Sequence, residues 1–273
     1  MTSLRVGCVF RPENPPETLP AAARAAEDAG VDELWLWEDC FFHGGLSAAA
    51  IALANSTSLV VGVGVLPVPL RNVALLAMEI AMLERTFPGR LRVGIGHGVQ
   101  DWMAQVGERV GSPLTLLREY TTALTALLNG ETVHAAGRYV TLSDVRLDWP
   151  PSTPVEVLLA AMGPKTLALS GELAAGTVLT SGTSPDAVRE AVSVIRAAAV
   201  PPRPHHVVAY VSCGLDDDRA DAEVRGSAEQ VADGARQWID AGVDTIVLQP
   251  RVGEYATEFI RAIGTRVAPL LRG

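Results

Sequence analysis

The chain has 273 residues, 48% of them hydrophobic and 19% charged, with a net charge of −9. That length suits one α/β barrel of about 250 residues, and the balance excludes a disordered chain. The acidic surplus excludes general nucleic-acid binding and adhesion to an anionic membrane surface, which both need a basic face; an anionic small ligand held by a few local donors stays possible.

Residues 4–10 read as a first strand, followed by a proline-rich loop and an Ala-rich helix over 18–29 that Gly30 ends. Residues 32–37 read as strand two, with Trp35 and Trp37 on one face as core or lining, and it ends in the polar cluster Glu38-Asp39-Cys40. After the aromatic loop 41–45 and a helix to 54, strand three covers 58–65 and contains Gly64-Val65. The prolines at 67 and 69 remove ladder donors, so 66–72 is expected to leave the sheet. A helix over 73–85 leads to the turn Pro88-Gly89 and to strand four at 91–95, which opens into a loop with glycine at 94, 96 and 98 around His97.

Glycine lets a ligand approach backbone N–H groups closely, and the next helix start presents unpaired donors. A short helix over 99–103 and a longer one over 113–129 follow, then 131–149 breaks the rhythm as an inserted hairpin. Strand five (155–159) precedes Ala160-Ala161-Met162-Gly163-Pro164-Lys165, and strand six (177–180) precedes Ser181-Gly182-Thr183-Ser184. Both loops combine free donors with a helix start, and both are candidate anion binders. Strand seven (206–213), one or two helices between 216 and 241, strand eight (244–248) and a helix over 255–271 complete the chain.

Eight apolar strands alternate with helices at roughly 34-residue spacing, which predicts a (β/α)8 TIM barrel, one domain over 1–273, with the hairpin inserted after strand four. A doubly wound open sheet is the alternative. In a barrel the loops after the strands meet at one mouth, bringing Asp39, Gly64-Val65, Gly96-His97-Gly98 and the loops after strands five and six together. Asp39 and His97 are the candidate acid–base groups. No His or Cys spacing supports a metal site, and the widely spaced Cys8, Cys40 and Cys213 fit reduced thiols in a cytoplasmic protein. No run approaches the roughly 20 apolar residues of a membrane span, and no N-terminal signal pattern is present. Lys165 is the only lysine among 22 basic residues, a usage typical of high-GC, actinobacterial sources.

The ordered motifs, from Trp35-Leu36-Trp37-Glu38-Asp39 through Gly64-Val65 to Arg71, the run 88–98, Leu127 to Glu131 and Met162 to Lys165, resemble the luciferase-like monooxygenase superfamily in its branch using the deazaflavin coenzyme F420. The resemblance implies a TIM barrel, a cis peptide at Gly64-Val65 behind the cofactor ring, Asp39 near that ring, and a homodimer paired through helices near strands two and three. It implies cofactor contacts from Gly96, His97, Gly98, Val99, Ala160, Ala161, Met162 and Gly163, with Lys165, Gly182 and Thr183 as the anion-binding additions. The expected activity is hydride transfer between F420 and a small organic substrate, reducing an activated C=C or C=N bond. An FMN-dependent monooxygenase and a non-catalytic F420-binding barrel are the alternatives. Two departures stand out: several relatives carry a catalytic His where this chain has Cys40, and some carry a Glu where this chain has Val99-Gln100-Asp101.

Overall fold

The computed structural model describes residues 4–217 and 221–273. Eight strands close into a parallel barrel: β1 (Arg5–Val9), β2 (Glu33–Leu36), β3 (Val60–Pro67), β4 (Leu91–Gly96), β7 (Val157–Ala160), β8 (Gly176–Leu179), β9 (His206–Leu215) and β11 (Thr245–Gln249). Closure is completed by β8 pairing with β9, with Gly176 opposite His206 and Leu179 opposite Ala209. The antiparallel hairpin β5 (Val133–Ala136) and β6 (Thr141–Val145) stands apart from the barrel between β4 and β7.

Helices follow the strands as the rhythm requires: α1 (Leu19–Asp28), α2 (Gly45–Ala54), α3 (Val73–Thr86), α4 (Gln100–Gln105), α5 (Pro113–Leu128), α6 (Pro164–Leu173), α7 (Pro185–Ala198), α8 (Ala228–Asp240), then α9 (Ala256–Ala262) and α10 (Ala268–Arg272). Their start signals are local. Ser184 accepts a hydrogen bond from the Ala187 N–H, and Ser227 with Gln230 forms a capping box at α8.

The barrel is filled, not hollow. Trp35 lies at 0% exposure among Val9, Leu158, Val178, Val208, Tyr210 and Val247, and the strand glycines make room for its indole. A Cβ on Gly62 would lie 2.4 Å from the Trp35 ring, and one on Gly64 would lie 2.4 Å from the Tyr210 hydroxyl. Below Trp35, the fully buried Glu33 accepts from the Trp35 indole N–H at 2.9 Å and from Arg5 at 3.1 Å, with Arg92 at 3.6 Å. A buried carboxylate needs such partners, and here they seal the lower end of the barrel, leaving the upper end to chemistry.

Two expectations are corrected. Strand three does not end at Val65: after an irregularity between Val63 and Leu66 the ladder resumes, with Leu66 opposite Ile95 and Pro67 opposite Gly96. Proline is tolerated there because it follows an irregularity and closes the ladder, so no further pairing needs its missing donor. Between 216 and 241 the described chain holds one helix, α8, and a short strand, β10 (Val224–Gly226), paired in parallel with Cys213–Leu215; the remainder of that expectation, 218–220, lies outside the described residues. The short segment Arg225-Gly226 carries no apolar alternation by which a strand could be read.

Candidate active site

The loop after β2 begins with Trp37, whose indole N–H donates to Asp39 Oδ2 at 2.8 Å. The Arg11 guanidinium stacks 5.4 Å over the Trp37 ring on its other side. Burial pushes the Asp39 carboxyl above its ordinary range, against the lowering effect of the Trp37 hydrogen bond. Glu38 differs from its neighbour although both line the same cleft. Its oxygens accept from Arg71 Nη1 and Nη2 at 2.8 and 2.9 Å and from the Gly45 N–H at 2.7 Å. A carboxylate engaged on both oxygens holds the loops after β2 and β3 together.

The Gly64–Val65 peptide is cis. Tyr210 Oη donates to the Gly64 carbonyl at 3.0 Å, and the Glu38 N–H reaches the Val65 carbonyl at 3.4 Å. Val65 continues into a wall with Gly96 and Ala160: a Cβ on Gly96 would meet Val65 Cγ2 at 2.9 Å and Ala160 Cβ at 3.2 Å. All three line the cleft, and none carries a side chain larger than valine. Gly94 is packing of the same kind, since a Cβ there would lie 2.8 Å from the Val63 carbonyl oxygen and from Val65 Cγ1.

Gly98 takes φ 69°, a conformation suited to glycine. Gln100 Nε2 donates to the His97 and Gly98 carbonyls at 3.3 and 3.4 Å, which ties the loop to the start of α4. His97 Nε2 lies 3.4 Å from Thr166 Oγ1 on α6. Burial lowers the His97 pKa, favouring neutral imidazole. Helix α6 begins at Gly163 with no side-chain cap, and nothing lies within 4 Å of where a Gly163 side chain would project. An uncapped helix start beside open space attracts an anionic group.

These groups line one cleft of about 520 Å³ at the upper end of the barrel. Of the residues expected from sequence, the structure brings together Asp39, Gly64, Val65, Gly96, His97, Gly98 and Val99 with Ala160, Ala161, Met162 and Gly163. It leaves out Lys165, which is exposed on α6, and Gly182 and Thr183. The donors that made the latter loop an anion-binding candidate are already engaged. Ser181 Oγ and the Gly182 N–H donate to Glu223 at 2.7 and 3.0 Å, and Thr183 Oγ1 donates to the Thr180 carbonyl at 2.7 Å.

Sequence reasoning missed Tyr210, Trp102 and Thr166 in the lining. Tyr210 had a signal, being a polar aromatic inside an otherwise aliphatic strand. Glu223 had none, because its partners Ser181 and Ser212 meet only after β8, β9 and β10 assemble. Among the described residues no group of three or more His, Cys, Asp or Glu is placed to hold a metal ion.

A model of the luciferase-like monooxygenase family matches residues 4–252. A 5,10-methylenetetrahydromethanopterin reductase of Methanolobus tindarius is 28% identical over 246 residues, spanning 89% of this chain and 73% of the relative. An F420-dependent glucose-6-phosphate dehydrogenase of Beutenbergia cavernae is 31% identical over 183 residues, 61% of this chain and 53% of the relative. A solved F420-dependent secondary alcohol dehydrogenase, in complex with an F420–acetone adduct, shares the fold with a TM-score of 0.90 at 17% identity, covering 99% of this chain and 100% of that one.

Proposed function

The chain belongs to the luciferase-like monooxygenase family, and from that premise we propose that it binds coenzyme F420 in the barrel-mouth cleft and passes a hydride between it and a small organic substrate, reducing an activated C=C or C=N bond. The observation that carries this reading is the cleft wall of small residues, Gly64, Val65, Gly96 and Ala160, which leaves room for the face of a planar tricyclic ring. The uncapped start of α6 at Gly163 suits an anionic tail, with exposed Lys165 two residues on and Gly98 and Val99 in the same cleft lining. A relative named for F420-dependent chemistry supports the same cofactor.

When bound, the cofactor supplies the hydride; the protein positions it and handles the accompanying proton. Asp39, whose carboxyl holds its proton above the usual range, delivers that proton to the atom next to the one receiving hydride. Neutral His97 accepts or donates a hydrogen bond at the opposite side of the cleft, held by Thr166. Gly182 and Thr183 support the rim and do not hold the cofactor.

The same reading takes 1–273 as one barrel domain with 131–149 inserted, in a cytoplasmic protein of actinobacterial type; no helix among the described residues is long and apolar enough to cross a membrane. It also takes the chain as a homodimer. Leu75, Met78 and Met82 on α3 are 47%, 59% and 65% exposed, and Trp149 at the hairpin's end is 70% exposed, an apolar face that a second copy can cover.

The test is to titrate purified protein into F420 and into FMN and follow fluorescence quenching of each, then to supply reduced F420 with a panel of enones and imines. Saturable F420 binding with cofactor oxidation is the expected result. Preference for FMN points to the monooxygenase reading, and binding without turnover to a cofactor carrier. Binding of neither at micromolar concentration ends the proposal.

A further inference from the structure

Resting on the F420 reading, we infer that the substrate of this cleft is an uncharged, apolar molecule, and that phosphorylated substrates are rejected because an internal carboxylate, Glu223, already fills the polar cradle formed by the loop after β8 and the upper part of β9. Four donors converge on Glu223: Ser181 Oγ at 2.7 Å, the Gly182 N–H at 3.0 Å, and the Ser212 N–H and Oγ at 2.8 and 3.0 Å. Backbone N–H groups and hydroxyls after late barrel strands are what a TIM barrel uses to hold a phosphate. Here the same kind of cradle is built and occupied from within. Glu223 cannot swing aside easily, because its own N–H donates to Ser212 Oγ at 2.9 Å and the next residue, Val224, is paired opposite Cys213 in β10.

The rest of the cleft offers an anion no compensation. No Lys or Arg is among the described residues lining it, and its charged members are the carboxyls Glu38 and Asp39. Nearby guanidinium groups are committed elsewhere: Arg71 to Glu38, Arg11 to Glu13, and Arg251 to Asp217 and Asp221. Lys165 lies outside the cleft, on the side assigned above to the cofactor's own acidic tail. A second dianion beside Ser181 would therefore meet Glu223 without a counter-charge in a partly desolvated place, where like charges repel strongly.

The rim adds a positive preference. Phe41, Phe42, Val99, Met162, Val252 and Tyr255 are 64%, 56%, 47%, 69%, 69% and 78% exposed, and all belong to loops that follow barrel strands at the upper end. Of these, Val99 and Met162 line the cleft itself, and exposed apolar side chains at a cleft favour an apolar occupant. The sugar phosphate in the name of one relative is on these grounds the wrong kind of substrate for this chain.

The experiment compares, on protein loaded with reduced F420, a hydroxymethyl-substituted cyclohexenone with its phosphate monoester. Cofactor oxidation is expected to show kcat/KM higher for the neutral enone by at least about tenfold, and Glu223→Gln is expected to narrow that ratio while leaving turnover of the neutral enone within about twofold. A wild-type preference for the phosphate ester, or a ratio unmoved in a folded Glu223→Gln variant, overturns the inference. A cofactor-independent arm separates it from the F420 reading: inorganic phosphate is titrated while tryptophan fluorescence is followed, since Trp37 and Trp102 line the cleft. Phosphate quenching at least about tenfold tighter in Glu223→Gln than in wild type supports the inference even if F420 does not bind, whatever binding the α6 start gives both proteins; equal affinity, or no quenching in either, refutes it.

Discussion

Trp37 and Asp39, two residues apart at the end of β2, are joined by an indole N–H to carboxylate hydrogen bond of 2.8 Å. That bond favours the ionised carboxylate, while burial favours the protonated one and prevails. The pair therefore sets how much proton Asp39 carries at a given pH, and it does so beside the cleft.

If Asp39 delivers the proton, turnover falls as pH rises through its raised pKa. Replacing Trp37 with Phe deletes the opposing hydrogen bond, so the falling limb of the pH–rate profile should move to higher pH. Asp39→Asn should lower kcat by about 10²-fold, the smaller end of what a positioned acid contributes, with F420 affinity little changed. Stability follows the same course as activity. The folded carboxyl binds its proton more tightly than the unfolded one, so ionisation costs stability above the folded pKa, and Asp39→Asn should not destabilise at pH 7. An Asn variant with full kcat would remove Asp39 from the chemistry.

Glu38 has the same chemistry and a different fate, which yields a prediction about stability. Its carboxylate is 8% exposed and Arg71 is 17% exposed, so removing one partner strands a buried charge, at a cost of about 3 kcal/mol. Glu38→Ala should lower Tm by roughly 6–12 °C, at 2–4 °C per kcal/mol for a chain of this size. A melting curve coincident with wild type would show that the pair is not holding the loops after β2 and β3.

The barrel was legible because buried parallel strands are continuous Val/Leu/Ile runs, as in 58–65 and 244–248, and because Gly30 and Pro185 mark helix ends in plain view. The mouth was legible for the same reason: once strands are ordered, their C-terminal loops must meet. What escaped depends on pairing between distant segments. Nothing near Glu38 announces Arg71, and Ser181-Gly182-Thr183 reads as an anion-binding loop until Glu223 is seen to fill it. Pro67 misled because a proline was taken to end a ladder, whereas one beside an irregularity at the ladder's end is tolerated.

The wall of the cleft can be tested by two glycines with opposite surroundings. A methyl group on Gly96 meets Val65 at 2.9 Å and Ala160 at 3.2 Å, and the branched Val65 side chain has little freedom to yield. Gly96→Ala should therefore displace the wall and weaken F420 binding by about tenfold or more, while costing roughly 1–3 kcal/mol of stability. At Gly163 nothing lies within 4 Å of the added methyl, so Gly163→Ala should fold as wild type does. Fluorescence titration of both variants decides the matter; equal affinities would mean that the cofactor ring does not lie against Gly96.

The final prediction concerns acid stability and a histidine far from the mouth. His205 Nε2 lies 2.7 Å from Thr177 Oγ1, which lies 2.7 Å from Ser170 Oγ, and Ser170 donates to the Gly176 carbonyl at 3.1 Å. Because Ser170 spends its proton on that carbonyl, it accepts from Thr177, and Thr177 in turn accepts from His205 Nε2–H. Burial, reinforced by nearby Arg203, pushes the His205 pKa down to about 4. The unfolded chain, with an ordinary imidazole pKa of about 6.5, binds a proton over a range where the folded chain does not. Stability from this group is thus fully present above about pH 6.5 and is lost progressively as pH falls toward the folded value. His205→Gln keeps a donor for Thr177 but cannot titrate, so its urea midpoint should fall less than that of wild type between pH 7 and pH 4.5. Equal falls in the two proteins would assign the acid sensitivity to other groups, His206 first among them, since burial lowers its pKa as well.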